Sequence, residues 1–242
     1  MQFSLHDNDQ PPIDIAVRRR RGLRRISLYV RPFQPIRISA PRGVSDRQIL
    51  KFLQSQRVWL IRKVEEKRII EESRERYPDA QSIRSRWHRG ELVAAPDARP
   101  GFHIDEHKIR ISYPKQLPIH DESVQRLIRR SLTEAYRLEA KAILPSRVAA
   151  LSQKHQLPFN QLRIKNMKTR WGSCSSRQNI NLNLHLMRLP DRLVDYVVCH
   201  ELLHTVIPNH SPLYWQRLEQ ICPGALSCRR QLKNYCLSLW VD

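Results

Sequence analysis

The sequence predicts an α+β fold: a small, basic, β-rich region with a helix over residues 1–118, followed by a domain of helices and strands over residues 119–242. Two observations lead there. Short stretches at 25–30, 35–40 and 179–186 alternate polar and apolar residues with the period of a strand. Apolar residues recur at helical spacing after Ser45, after Asp121 and after Asp191. A chain of 242 residues is long enough to bury a real core, and no internal repeat or low-complexity tract interrupts it.

Residues 1–12 are polar and end in Pro11-Pro12, the composition of a fraying end. Residues 17–25, VRRRRGLRR, crowd arginines around Gly22. RISLYV (25–30) and PIRISA (35–40) are strands, and RPFQ between them, with Pro32, is a turn. Ser45 is a helix N-cap, and Asp46 stands in the first turn beside the positive end of the helix dipole. Ile49, Leu50, Phe52, Leu53 and residues 58–61 supply that helix with apolar faces. Past residue 63, KVEEKRIIEESRER interleaves charges, which predicts an exposed helical extension held by pairs four residues apart.

Residues 78–118 hold two or three short strands. From Asp121 a long helix runs to His155, and Pro145 is expected to kink it or divide it in two. LRIKN (162–166) is a strand, and so is NINLNLHL (179–186), whose Ile180, Leu182, Leu184 and Leu186 alternate strictly. Pro190 and Asp191 open a helix to Ile207, which Pro208 ends. Ser211-Pro212 is a cap followed by proline at the first helical position. Leu226 to Trp240 completes the chain as one more helix.

Lys and Arg total 43 against 23 acidic residues, for a net charge of +20. Such a surface attracts polyanions, DNA among them, although charge alone confers no sequence specificity. The best patch is the arginine cluster at 18–25 with Arg31, Arg37, Arg42 and Arg57 nearby, since guanidinium forks suit phosphate; a solvated strand face is the plainer reading. The five cysteines are odd in number and none are spaced C-x-x-C, as expected of a reducing compartment. The first residues lack the basic and apolar regions of a secretory signal, and no apolar run approaches the roughly 20 residues a bilayer needs. A cytoplasmic protein without a membrane partner is expected.

The chemistry concentrates in CHELLH, 199–204. His200 and His204 are four residues apart and so project from one face of a helix, where two imidazoles can share a zinc ion. Glu201 follows the first by one residue and stands beside the metal, placed to take a proton from water there. Leu193, Val194, Val197, Val198, Leu202, Leu203 and Val206 make the helix apolar nearly all round, hence buried. Burying two His and a Glu without partners would cost several kcal/mol, which a metal offsets. His210, just past the break at Pro208, is the third ligand candidate; Glu219 is the alternative. The gap from His204 to His210 matches the metzincin spacing, but Ile207 occupies the glycine position and no Met follows for a Met-turn. The strand at 179–186 offers an edge to which a peptide substrate could add. A buried structural His pair with a satisfied Glu is the plain alternative.

These residues, KTRWGSCSSRQNINLN (168–183), YVVCHELLH (196–204) and NHSPLYW (209–215), together with RRISLYVRP and IRISAPRGVS near the start, resemble the YgjP-like metallopeptidase family. The resemblance spans residues 17 to 220 and is weakest over 78–118. It implies a minimal zincin-like C-terminal domain, gluzincin-like and related to the SprT-like and WLM-type zinc proteases, which act on proteins crosslinked to DNA. It further implies zinc on His200, His204 and His210, with Glu201 as the base, hydrolysing peptide bonds in a protein or peptide substrate. Some members carry a nucleotide pyrophosphatase description, so phosphoanhydride hydrolysis is one rival; a nucleic-acid-binding module whose zinc is closed by a fourth protein ligand is another.

Several residues near the motif admit two readings. Trp171, Gly172 and Cys174 form either a rim of the substrate cleft or, respectively, a packed ring, a special backbone conformation and a small buried hydrophobe. Asn181 and Asn183 either support the zinc histidines or make a polar face. Arg170, His185 and Tyr214 are the candidates to stabilise an oxyanion. Asp195, on the back of the helix, makes a structural contact.

Overall fold

The structure, a computed structural model, describes residues 2–7, 10–32, 34–72, 76–235 and 237. They form three small sheets and six α-helices, an α+β architecture. The chain forms two compact units, residues 1–74 and 75–241, each with its own apolar core.

In the first unit the strands are β1 (Gln2–Asp7), β2 (Gln10–Arg20), β3 (Ser27–Tyr29) and β4 (Ile36–Pro41). Their sheet order is β1-β2-β4-β3, with β2 and β4 parallel and the other pairs antiparallel. The expected frayed end is therefore a paired hairpin, since the β1 backbone finds its hydrogen bonds on β2. Ile13, Ile15, Ile36, Ile38 and Ala40 face inward against Ile49, Leu53 and Leu60 of two helices, α1 (Asp46–Ser55) and α2 (Arg57–Glu72). Ser45 caps α1 as expected, and a reciprocal capping box with Gln48 reinforces it. The single helix expected after Ser45 is broken at Gln56, whose backbone leaves the helical region. The charged extension, α2, carries the expected pairs, among them Lys67 with Glu71 at 2.7 Å.

In the second unit the two or three strands expected within 78–118 number three: β5 (Arg89–Ala95), β6 (Gly101–Ile104) and β7 (Lys108–Pro114), ordered β5-β7-β6. Ile109, Ile111 and Tyr113 turn inward to a core they share with α3 (Glu122–His155). A boundary at 118–119 would cut through this core; the compact units divide at 74–75 instead. Helix α3 passes through Pro145 undivided. Ala140, Leu144 and Val148 hold it to the core on either side, while Pro145 and the Lys141 carbonyl it cannot serve lie on the exposed face.

The last sheet consists of β8 (Gln161–Lys165), β9 (Gly172–Cys174) and β10 (Asn179–Asn183), ordered β8-β10-β9. The strand expected over 179–186 stops at Asn183. Its side chain caps the next segment, a 3₁₀ turn over Leu184–Arg188, by accepting from the His185 backbone N–H. Helix α4 (Asp191–Leu203) follows, then α5 (Pro212–Ile221) with Ser211 as its cap, and α6 (Ala225–Leu232). The tail helix expected from Leu226 to Trp240 is shorter: α6 ends at Leu232, and Cys236 and residues 238–242 lie outside the described residues. Cys174, Cys199, Cys222 and Cys228 are free thiols. Among the described residues no helix is long and apolar enough to cross a membrane.

Candidate metal centre

Helix α4 is buried along most of its length, from Leu193 to Leu203, as its all-round apolar sequence requires. It has no side-chain cap at Pro190. Arg86 anchors that end, donating to Asp191 at 2.6 Å and to the Met187 carbonyl at 3.0 Å. Arg147 adds bonds to Asp191 and to Asp195, the structural contact expected of Asp195. The helix closes at His204, which retains helical backbone angles, so His200 and His204 keep one face. The chain then turns over Pro208 and brings His210 back before α5.

The three imidazoles converge. Nε2 of His204 lies 3.3 Å from Nε2 of His200 and 3.1 Å from Nε2 of His210, and the third side of the triangle is 3.2 Å. Ligands about 2.0–2.1 Å from a tetrahedral ion stand about 3.3–3.4 Å apart, so the triangle has nearly the right size for one ion with a fourth corner open. His204 Nδ1 faces the Ile207 carbonyl at 3.1 Å, which fixes the proton on Nδ1 and turns the Nε2 lone pair to the centre of the triangle. Burial pushes His200 down to about 3, and the neighbouring imidazoles add to the effect. Burial also lowers His204. Both rings are thus neutral, the form that binds metal. The cluster can hold a divalent ion.

Two aromatic residues frame the triangle. Tyr214 stacks on His204 with centroids 4.6 Å apart, and its hydroxyl donates to the His200 carbonyl at 3.0 Å. Trp215 stacks on His210 at 5.5 Å. The Tyr214 hydroxyl is thereby committed to the backbone and is not turned to an oxyanion. Trp215 escaped notice in the sequence, because its use depends on α5 folding back over His210.

Glu201 points into a cavity of about 670 Å³ that it shares with the three histidines, Arg170 and the β9 backbone. It is 6% exposed, and burial raises its carboxyl to about 8, with Arg170 opposing the shift. Of the three candidate oxyanion stabilisers only Arg170 lines this cavity; His185 is buried away from it, beside Tyr136. Glu219 is also elsewhere, accepting from the Gly224 N–H at 2.6 Å. Asn181 and Asn183 do not reach the histidines. Asn181 bonds Ser173, and Asn183 holds the carbonyls of Met167 and Arg170, so the pair shapes the loop that carries β9. β10 lies between two strands and has no free edge for a peptide; β8 and β9 are the edge strands, and of these β9 lines the cavity.

The sequence profile of the YgjP-like metallopeptidase domain matches residues 24–235. The chain belongs to the YgjP-like family. YgjP-like proteins are grouped as metallopeptidases, which places the chain among peptide-bond hydrolases that use a divalent metal. No protein of curated function matches it. Two solved structures resemble part of this YgjP-like chain. One is the metallopeptidase zymogen abylysin of Pyrococcus abyssi, 20% identical with a TM-score of 0.35 over 38% of this chain and 94% of that one. The other is the metallopeptidase zymogen jannalysin of Methanocaldococcus jannaschii, 22% identical with a TM-score of 0.31 over 36% of this chain and 95% of that one.

Proposed function

We propose that the protein is a zinc peptidase in which His200, His204 and His210 hold the ion and Glu201 is the general base. The convergence of three Nε2 atoms within 3.1–3.3 Å, with one tetrahedral corner open to the Glu201 cavity, carries this reading. Zinc held there would polarise the scissile carbonyl and lower the pKa of nearby water towards about 7. The remaining work falls to the chain. Glu201, nearly buried in the cavity that it shares with the three histidines, accepts the proton of the attacking water and returns it to the leaving amine. Arg170, at the mouth of the same cavity, meets the negative charge that develops on the carbonyl oxygen. The outer edge of β9 offers backbone groups along which an extended peptide can lie.

The test uses the full chain loaded with zinc. Glu201→Gln should keep one zinc per chain and lose roughly 10²–10⁴-fold in peptide turnover, whereas His210→Ala should lose zinc as well. Retained turnover in Glu201→Gln would sink the assignment. Turnover of nucleoside triphosphates in place of peptides would favour phosphoanhydride hydrolysis.

A second reading concerns a partner, and the first sheet favours it. Alternation along β2 and β4 turns Ile13, Ile15, Ile36 and Ile38 inward and sets Arg18, Arg20 and Arg37 on the outer face, where Arg37 lies 5.0 Å over the Tyr29 ring. We infer that this face binds the phosphate backbone of a nucleic acid and recruits the peptidase to proteins bound there.

A further inference from the structure

Gly172 opens β9 and pairs with Leu182 of β10. It stands where the main cavity meets a smaller one of about 280 Å³, and Glu201 borders both. A Cβ placed on Gly172 would lie 2.6 Å from Glu201 Cγ, 2.6 Å from Oε1 and 2.8 Å from Cδ. These three nearest neighbours all belong to one side chain. The backbone does not itself call for glycine here. The glycines with positive φ are Gly22 and Gly224, and residue 172 is ordinary extended strand. The helix that carries Glu201 cannot retreat, because Val197, Val198, Leu202 and Leu203 beside it are fixed in the core. The carboxylate would have to swing instead.

We propose that Gly172 is a positioning residue for the reaction. By having no side chain, it lets the β9 backbone close against the Glu201 carboxylate and fix its direction inside the cavity. The inference rests on Glu201 acting as the base. It goes further in making the geometry of that base depend on a residue of a different element, the strand β9.

Gly172→Ala is made in the full chain, both in the wild-type background and with Glu201→Ala, which removes all three crowding atoms. In the wild-type background it should leave zinc content and KM unchanged and lower kcat roughly a hundredfold, the cost of misplacing a catalytic group by about 1 Å. It should also lower the melting temperature of the metal-free chain by about 2–4 °C. In the Glu201→Ala background that fall should vanish. An equal fall in both backgrounds would mean that the strand, not the carboxylate, requires glycine, and would overturn the proposal; unchanged kcat would do the same. If Gly172→Ala alone does not fold, folding of the double variant supports the contact and its failure overturns it. Full turnover by Glu201→Gln would remove the base assignment and the positioning role with it, while the melting comparison would still report the contact separately.

Discussion

Burial acts on Glu201 and His200 in opposite directions. It raises the carboxyl to about 8 and lowers the imidazole to about 3, in each case because the charged form loses its water. In metal-free protein the Glu201 contribution favours folding below the ordinary carboxyl range and is lost as pH rises through about 8. His200 works the other way: its contribution is present above the ordinary imidazole range and is lost as pH falls from about 6.5 towards 3. The melting temperature of the metal-free wild type should therefore fall relative to Glu201→Gln between pH 5 and pH 8, as thermal melts at fixed ionic strength would report; parallel curves would refute it. His200, Glu201 and His204 were legible in the sequence because a four-residue spacing on a helix leaves little freedom, and His210 because proline forces the chain back. The need for glycine at 172 was hidden, since its cause is an atom on a different element.

Among the elements, α3 and the segment before β5 are joined by one buried carboxylate. Glu139, fully buried, accepts from the backbone N–H groups of Arg86 and Trp87, at 3.3 and 2.9 Å, from the Ser85 hydroxyl, and lies 2.9 Å from His88 Nδ1. Ser85 and Glu139 both meet the same His88 nitrogen, so the group forms a clamp and not a proton relay. Glu139→Ala leaves the Ser85, Arg86 and Trp87 donors and buried His88 without their common partner and should cost about 3 kcal/mol or more, a fall of roughly 6 °C or more in melting temperature. A loss under 2 °C would show that water replaces the carboxylate. This clamp was illegible in the sequence because Glu139 reads as one more charge on a helix. Caps were legible, as at Ser45 and Ser211, because capping is local. Pro145 misled for the complementary reason: a local penalty was outweighed by packing on both sides of it.

Over the whole molecule, composition announced the excess positive charge and the outer face of the first sheet gives part of it an address. If that face binds phosphates, DNA affinity should fall linearly on a log–log plot against salt, and replacing Arg18, Arg20 and Arg37 by Gln should reduce the slope by about 3. An unchanged slope in a fluorescence titration would place the binding elsewhere. The α+β class was legible from periodicity, whereas the division at 74–75 was not. The sheet over 89–114 belongs with α3 through Ile109 and Ile111, and long-range burial of that kind leaves no mark at a linker.

The histidines reach their meeting point from the last turn of a helix, from the residue that caps it and from the loop after Pro208. An ion bridging the last two would buckle residues 205–209 into a closed ring that the covalent chain leaves open. Chelation would release that buckle while the helices on either side persist, presenting a slack stretch to any protease in the sample. Stripping the metal during purification would then cost intact chain as well as turnover.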